Sequence, residues 1–419
     1  MAVLRLVLLA ALLGLCLAEK KRYDGYKVFR ITPSDDFQVK SLFRLKPLLE
    51  DKTVDFWTNP LQIGNTVDLM VAPEDQEDVE ELLTQQGMHL SVWISDVQKL
   101  IDESTPEEEE KNIAGLSGFN YETYHSTNTI LQWVKDMASE NSDIASSQKI
   151  GSSYQGRELR ILKISRGGSN KPILWLMSGV HAREWLSPAT QLKMVDMLVD
   201  GYRRGDSEIV NLLNNVDFYF LPMANPDGYE YSRNSDRLWR KTRSPAPGFC
   251  TGTDPNRNWD DHWNDPNSNT NPCSQTYRGS SAFSEKEVKA ISNYILSVRS
   301  RVKVFIDMHC YSQMWLNPYG WTTTLPGNYN NQKSLADSAV AALRAVNGLR
   351  FTTGSVARVL YAAPGSSIDW AYSKAGIPYS YTPELRDKGN YGFVAPKSEI
   401  IKSANEVFAA FKVVAKKIA

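Results

Sequence analysis

The 419-residue sequence lacks a long apolar run after its first residues, an N-glycosylation site and a large net charge. After the first 18 residues no apolar run is long enough to span a bilayer, so we expect no membrane association. No Asn-x-Ser/Thr acceptor site occurs, which excludes N-glycosylation. The net charge is only -1, and it does not favour nucleic acid as a partner. With 42% hydrophobic and 23% charged residues, this is an ordinary globular composition with room for more than one domain.

Cysteine is also scarce, with four residues in the whole chain. One of them lies in the first 18 residues, where an apolar run follows Arg5 and ends at a small residue, as in a secretory signal peptide. We therefore expect a secreted, extracellular chain from which this segment has been removed. Of the other cysteines, Cys250 and Cys273 flank a loop rich in proline, asparagine and glycine, and we expect them to form a disulfide. Cys310 is then unpaired.

The charges are divided unevenly along the chain. Residues 19–111 carry 21 acidic and 11 basic side chains, whereas residues 112–419 carry 27 acidic and 35 basic ones. Segments of opposite charge attract one another, as an inhibitory prosegment and the domain that it covers would, although two independent domains with solvated surfaces have the same composition. At the junction, four glutamates at 107–110 precede Lys111. This stretch is either an acidic linker or the site at which a trypsin-like protease cuts.

The secondary-structure pattern also differs between the two segments. In residues 19–111 the pattern predicts strand, helix, strand, strand, helix and strand, which is the order of a ferredoxin-like α+β domain. The apolar positions of its first helix are Phe37, Val39, Leu42, Phe43, Leu45 and Leu48. A helical connector follows. From residue 119 onward, strands and helices alternate at the spacing of βαβ units, which predicts an α/β domain.

Three buried strands of the predicted α/β domain end beside residues that can bind a metal. The first ends at His181, the second at His309, and the third near Glu384. Glu184 follows His181 on a strand-to-helix turn, where open α/β sheets bind their ligands. Two histidines and one carboxylate with an open fourth position are the ligand set of a catalytic zinc site. If the strands are neighbours, Glu384 can act as a base at the open position.

Further motifs extend this set along the chain. They are Leu238-Trp239-Arg240-Lys241, Asn256-Arg257-Asn258-Trp259, His309-Cys310-Tyr311-Ser312-Gln313, Tyr361, Ile368-Asp369-Trp370 and Glu384-Leu385-Arg386-Asp387. In this order and spacing, the series resembles the zinc metallocarboxypeptidases of the pancreatic A/B type over nearly the whole chain. The resemblance implies a preproenzyme with a signal peptide (1–18), an activation prosegment (19–111) and a catalytic domain (112–419). The catalytic domain is expected to be a mixed, mainly parallel twisted sheet with helices on both faces.

The resemblance also implies a role for each residue of the site. His181, Glu184 and His309 hold one zinc ion per chain. Glu384 is the base that takes a proton from water and passes it to the leaving amine. Arg240 stabilises the oxyanion of the tetrahedral intermediate.

The substrates implied are peptides or proteins with a free C-terminus. Asn256 and Arg257 are expected to bind the terminal carboxylate, and Arg257 does so through a two-point contact. Tyr361 closes over the substrate. Asp254 orients the imidazole of His181. The other residues expected to bind substrate are Arg183 and Tyr311.

The resemblance also implies that specificity depends on a pocket with Ile368 at its floor. The walls that it implies are Leu316, Gly320, Val356, Leu360, Ala363 and Thr382. An enzyme that removes lysine or arginine needs a buried carboxylate at the floor, to offset desolvation of the cation. Ile368 has none, and Asp369 occurs with both specificities in the family, so we expect an A-like preference for aliphatic or aromatic residues. The alternatives are a B-like enzyme for basic residues and a binding protein that has lost catalysis. We expect a monomer.

Overall fold

The computed structural model of the protein describes residues 20–51, 54–59, 62–104 and 115–419. Within these ranges the chain forms a small unit that ends at residue 104 and a large unit that begins at residue 115. The predicted signal peptide and the predicted cleavage site at Lys111 lie outside the described residues. In the part of the chain that is described, no helix has the length and apolar character needed to cross a membrane.

The small unit is a four-stranded antiparallel sheet with packed helices. Its strands are β1 (Lys27–Ile31), β2 (Val54–Phe56), β3 (Val67–Val71) and β4 (Leu90–Ile94), in the spatial order β2-β3-β1-β4. Its helices are α1 (Asp36–Asp51), α2 (Gln76–Thr84, after a 3₁₀ turn at Pro73–Asp75) and α3 (Val97–Ser104). The chain order β1-α1-β2-β3-α2-β4 is that of a ferredoxin-like domain, so this prediction is confirmed.

The two faces of this sheet have different partners, because side chains alternate along a strand. On β3, Val67, Leu69 and Val71 pack in a core that belongs to the small unit alone. Met70, which lies between them, belongs to a core that continues into the large unit. The small unit is therefore seated on the large unit through the second face of its sheet.

Helix α1 buries only some of its apolar side chains. Val39 and Leu42 are buried, but Phe37, Phe43 and Leu48 are exposed, at 59%, 47% and 61%. With 3.6 residues per turn, these three side chains lie outside the arc of the helix that contains Val39 and Leu42. The apolar residues of this helix therefore do not all face the core.

The large unit is built on an eight-stranded mixed sheet. Its strands are β5 (Ala145–Ser152), β6 (Glu158–Ile164), β7 (Ile173–Ser178), β8 (Asp217–Leu221), β9 (Val302–Met308), β10 (Met314–Asn317), β11 (Thr352–Ser355) and β12 (Tyr379–Glu384). Their spatial order is β11-β10-β12-β9-β7-β8-β6-β5. The four central strands, β12, β9, β7 and β8, are parallel to one another.

Helices cover both faces of this sheet. They are α4 (Thr127–Glu140), α5 (Leu186–Arg203), α6 (Ser207–Asn215), α7 (Pro226–Asn234), α8 (Lys286–Val298), α9 (Tyr329–Asn347), α10 (Val356–Val359), α11 (Ser367–Ser373) and α12 (Glu399–Lys416), with 3₁₀ turns at Leu116–Gly118 and Pro255–Arg257. On β7, Leu174 and Leu176 pack in a core with α4, α5, α9 and α12. Trp175 and Met177 point the other way, into a core with α8 and α11. The predicted α/β architecture is confirmed.

Candidate active site

The sheet brings together the polar residues that follow its central strands. β7 and β9 are parallel neighbours, with Ser178 of β7 opposite Met308 of β9. His181 and His309 follow these two strand ends. On the other side of β9, Glu384 at the end of β12 forms an isolated bridge with His309. All three residues therefore lie at the carboxyl edge of the sheet.

Two histidines and a glutamate converge at this edge. The Nδ1 atoms of His181 and His309 lie 3.1 Å apart. Glu184, on the turn after β7, places Oε1 2.6 Å from Nδ1 of His181 and Oε2 3.0 Å from Nδ1 of His309. All three side chains are buried. Two imidazole nitrogens and a carboxylate are the donor set of a catalytic zinc ion, and among the described residues this is the only such group.

The charges within this cluster depend on one another. Burial alone would raise the pKa of the Glu184 carboxyl, but the two histidines outweigh it and hold that pKa well below its ordinary value. Burial also disfavours the charged form of His309, yet Asp307 and Glu184 raise the pKa of its imidazole well above the ordinary value. The two histidines thus favour the ionised form of Glu184, which is the form that binds a cation.

Asp254 connects the metal-binding cluster to the rest of the site. It precedes the 3₁₀ turn Pro255–Arg257, and its Oδ1 lies 3.1 Å from Nε2 of His181. The same oxygen accepts a hydrogen bond from the backbone N–H of Asn256, and Oδ2 accepts one from Nη2 of Arg240 at 2.8 Å. Burial opposes the charge of Asp254, but Arg240 and His181 hold the pKa of its carboxyl well below the ordinary value. One fixed carboxylate therefore contacts both His181 and Arg240.

Arg257 and Tyr361 form a second group beside the cluster. Nη2 of Arg257 donates a hydrogen bond to the Tyr361 hydroxyl at 3.2 Å. Gly365 lets the loop before α11 approach closely, because its φ is +73° and a Cβ there would lie 2.4 Å from the carbonyl oxygen of Arg257. Oδ1 of Asn256 accepts a hydrogen bond from the backbone N–H of Ser367 at 2.8 Å. These contacts fix Asn256 and Arg257 in place.

A cavity of about 370 Å³ lies beside the metal-binding cluster. Its lining includes the residues predicted for catalysis and substrate binding: Glu384, Arg240, Asn256, Arg257, Tyr311, Tyr361 and Ile368. Burial raises the pKa of the Glu384 carboxyl above its ordinary value, and the negative charge of Glu184 adds to this effect.

The predicted walls of the specificity pocket are only partly found at this cavity. Four of them line it: Val356, Leu360, Ala363 and Thr382. Leu316 does not, because it is fully buried in the core between the sheet and α8 and α11. Gly320 also lies outside the lining, and its backbone N–H is occupied by the carboxylate of Asp369.

The small unit lines part of the cavity and contacts two residues predicted to bind substrate. Oδ2 of Asp55 accepts a hydrogen bond from Nη1 of Arg183 at 2.5 Å. Oδ2 of Asp68 accepts one from the Tyr311 hydroxyl at 3.0 Å, and Arg30 holds the same carboxylate through Nε at 2.6 Å. The sequence analysis missed both aspartates. Asp68 carried a signal, since it is the charged residue of the otherwise apolar strand β3.

Asp307 is another residue of the site that the sequence analysis missed. It is fully buried on β9, and its Oδ2 lies 3.1 Å from Nε2 of His309. The sequence feature that could have identified it is again an acidic residue in a mainly apolar strand, since Asp307 is the only acidic residue of β9.

The cysteines are arranged as predicted. Cys250 and Cys273 are joined by a disulfide. Cys310 is unpaired and buried, and burial raises the pKa of its thiol well above the ordinary value. It is not part of the cluster formed by the two histidines and the glutamate.

Comparisons with known proteins agree with this geometry. Residues 130–410 match the family model for zinc carboxypeptidase, and residues 29–104 match that for the carboxypeptidase activation peptide. Carboxypeptidase A2 of Mus musculus is 40% identical over 410 residues, covering 97% of this chain and 97% of the mouse protein. Carboxypeptidase B of Bos taurus is 40% identical over 399 residues, covering 94% of this chain and 93% of the bovine protein.

Solved structures are similar over both units. The crystal structure of thrombin activatable fibrinolysis inhibitor has a TM-score of 0.84 at 34% identity and covers 94% of this chain and 98% of that one. Carboxypeptidase A from Helicoverpa armigera has a TM-score of 0.82 at 28% identity and covers 94% of this chain and 97% of that one. The resemblance found in the sequence is confirmed. The chain therefore belongs to the zinc carboxypeptidase family, as a pancreatic-type zymogen in which an activation peptide precedes a zinc-dependent carboxypeptidase.

Proposed function

We propose that this chain is the secreted zymogen of an exopeptidase that removes an aliphatic or aromatic residue from the C-terminus of peptides and proteins. The observation that carries the proposal is the position of Ile368. Its side chain is buried, and it lines the same cavity as Glu384 and Arg257. An apolar pocket, a base and a carboxylate-binding cation therefore face one space.

The residues of the cluster divide the chemistry among them. His181, Glu184 and His309 hold the zinc ion. When bound, zinc polarises the scissile carbonyl and lowers the pKa of water to about 7. Glu384 takes a proton from the attacking water and passes it to the leaving amine. Arg240, which is already fixed by a buried carboxylate, donates to the oxyanion without reorganising.

Recognition of the chain end makes the enzyme an exopeptidase. Arg257 offers a planar fork of N–H donors that fits a terminal carboxylate at two points. Asn256 lies beside it, and Tyr361 already accepts a hydrogen bond from Arg257. Arg183 and Tyr311 contact the part of the substrate that precedes the cleaved bond, at the positions that the small unit occupies in the zymogen.

Specificity follows from which carboxylates face the pocket. Ile368 has no carboxylate, and the carboxylate of the neighbouring Asp369 is bound by backbone groups rather than facing the pocket. Its oxygens accept hydrogen bonds from the backbone N–H groups of Gly320 and Trp321, at 2.8 to 3.0 Å. Burial raises the pKa of Asp369 to about 7, which further weakens it as a partner for a cationic side chain. The A-like relative and the B-like relative are equally identical to this chain, so the pocket is the stronger argument.

The small unit keeps the uncleaved enzyme inactive. Its carboxylates Asp55 and Asp68 occupy Arg183 and Tyr311, so a substrate cannot enter while the unit remains docked. Cleavage near Lys111 by a trypsin-like protease releases it, since Lys111 is the only basic residue between Lys99 and Lys135. The active enzyme is a monomer. A binding protein without catalysis is the weaker alternative, because the base and all three metal-binding residues are present.

The first test compares blocked dipeptides that end in phenylalanine, leucine or lysine, before and after treatment with trypsin. We expect hydrolysis of the phenylalanine and leucine substrates only after trypsin, loss of activity with a chelator, and recovery with zinc. No hydrolysis of any substrate after complete cleavage would contradict the enzymatic function. A preference for lysine would contradict the pocket argument alone.

Glu384→Gln tests the assignment of the base. We expect kcat of the activated enzyme to fall by about 10²–10⁴-fold, because the amide cannot accept the proton, while bound zinc stays at one ion per chain. Zinc content and steady-state kinetics are measured on the same preparation. Glu287→Gln is the matched control, since this buried glutamate on α8 accepts a hydrogen bond from Tyr154 away from the site. Equal loss in both variants would contradict the assignment.

Ile368→Asp tests the pocket floor. The new carboxylate offsets desolvation of a lysine or arginine side chain and penalises an apolar one, so we expect the ratio of kcat/KM for lysine over phenylalanine to rise by about 10²-fold or more. Ile368→Val is the control, because it enlarges the pocket without adding charge and should leave the ratio in favour of phenylalanine. An unchanged ratio in Ile368→Asp would show that Ile368 does not contact the terminal side chain.

Asp55→Asn tests latency. Asparagine keeps an acceptor oxygen but removes the negative charge that compensates the buried Arg183, and loss of such a charge partner costs about 2–5 kcal/mol. We therefore expect the uncleaved chain to show at least about tenfold more activity on small substrates. Asp24→Asn removes an exposed pair with Arg22 in the same unit and should have no effect. If Asp55→Asn is as inactive as the parent before cleavage, the contact with Arg183 does not maintain latency.

A further inference from the structure

Each histidine of the cluster contacts a buried carboxylate through the ring nitrogen that points away from Glu184. Nε2 of His181 lies 3.1 Å from Oδ1 of Asp254, and Nε2 of His309 lies 3.1 Å from Oδ2 of Asp307. Both aspartates are fully buried. In each imidazole, Nδ1 therefore faces the cluster and Nε2 lies close to a buried carboxylate.

Asp307 reaches His309 because of the geometry of β9. Side chains two residues apart on a strand point to the same side, and His309 directly follows the strand. Asp307 lies opposite Met177 in the parallel pairing of β9 with β7, so it is placed by the centre of the sheet rather than by a loop. Its carboxylate is held in a fixed position relative to the ring.

Few groups compensate the charge of this carboxylate. Oδ2 accepts a hydrogen bond from the Ser367 hydroxyl at 2.5 Å, and Oδ1 has no hydrogen-bond partner. No lysine or arginine is paired with Asp307 in the described ranges. A buried carboxylate requires a donor or a positive charge nearby, and the imidazole of His309 is the group that can supply one.

The neighbouring amide cannot replace Asp307. Oδ1 of Asn256 accepts a hydrogen bond from the backbone N–H of Ser367, so its Nδ2 is turned toward His309, 3.3 Å from Nε2. When Nδ1 of His309 binds a metal, Nε2 carries a proton. The N–H groups of Asn256 Nδ2 and His309 Nε2 then face each other, and neither can accept a hydrogen bond. Among these neighbours only the carboxylate of Asp307, with Oδ2 3.1 Å from Nε2, can accept that proton.

We propose that Asp307 is a positioning residue for zinc. It holds His309 in the tautomer with a proton on Nε2, directs the lone pair of Nδ1 into the cluster, and makes the ring a stronger ligand. It acts only through His309 and does not touch the substrate. The inference rests on the proposed function, because it requires His309 to bind zinc.

The experiment measures zinc affinity of the full-length chain by competition with a chelator. We expect Asp307→Asn to bind zinc about 10–100-fold more weakly than the parent, with a similar loss in Asp254→Asn. Asp217→Asn is the matched control. Asp217 is also buried and charge-paired, with Lys171 and Arg301, but it begins β8 at the opposite edge of the sheet. It should change stability without changing zinc affinity.

A second measurement separates positioning from a merely structural role. With ¹⁵N-labelled histidine, the zinc-loaded parent should show a strongly downfield Nε2–H proton for His309, and Asp307→Asn should move this signal upfield. If Asp307→Asn does not fold, Ser367→Ala is used instead, because it removes the hydroxyl that holds the carboxylate and should weaken zinc binding less.

The outcomes distinguish the role of Asp307 from the assignment of His309 as a zinc ligand. Zinc affinity of Asp307→Asn within about twofold of the parent, with an unchanged Nε2–H signal, would overturn the role of Asp307 and leave the function intact. Full zinc binding by His309→Ala would instead overturn the ligand assignment, and with it the function from which this inference starts.

Discussion

The parallel pairing of β7 with β9 is the constraint on which the active site depends. It places Ser178 opposite Met308, and so it brings the residues that follow these strands to the same edge of the sheet. A shift of one residue in this register would turn the side chains of one strand to the opposite face. The buried apolar residues on both faces of β7 resist such a shift, since each face packs into a separate core. The hydrophobic core thus fixes the distance between the two histidines.

A polar cluster in such a core must balance its charges locally. Glu184 is compensated by the two histidines, and Asp254 by Arg240 and His181. The acidic small unit uses the same principle across the interface, where Asp55 meets Arg183 and the Tyr311 hydroxyl meets a carboxylate. In the proposed function, Arg183 and Tyr311 contact the part of the substrate that precedes the cleaved bond, so the two aspartates would occupy groups that otherwise face a peptide backbone. The opposite net charges of the two segments therefore act through a few specific contacts as well as through general attraction.

The fold and the set of residues at the sheet edge could be predicted because both follow from patterns within single strands. Apolar runs that end in histidine predicted the cluster, and the order of elements predicted the ferredoxin-like unit. Contacts between distant segments could not be predicted in this way. The residues around Asp55 do not indicate that it contacts Arg183, and those around Phe37 do not indicate that it lies on the exposed side of α1. Leu316 was misplaced for the same reason, since whether an apolar residue lines a pocket or fills a core depends on the neighbouring layers.

The start of α11 links functions that are usually considered separately. The hydroxyl of Ser367 contacts Asp307, and its backbone N–H contacts Asn256. The next residue, Ile368, lines the cavity. In the proposed function, metal positioning, recognition of the chain end and specificity therefore depend on two adjacent residues, Ser367 and Ile368. Because the contacts of Ser367 use its backbone and a short side chain, Ile368 can change its chemistry without moving them. If Ile368 sets the substrate preference as proposed, a substitution there would change the preference and leave the contacts of Ser367 beside the zinc site in place.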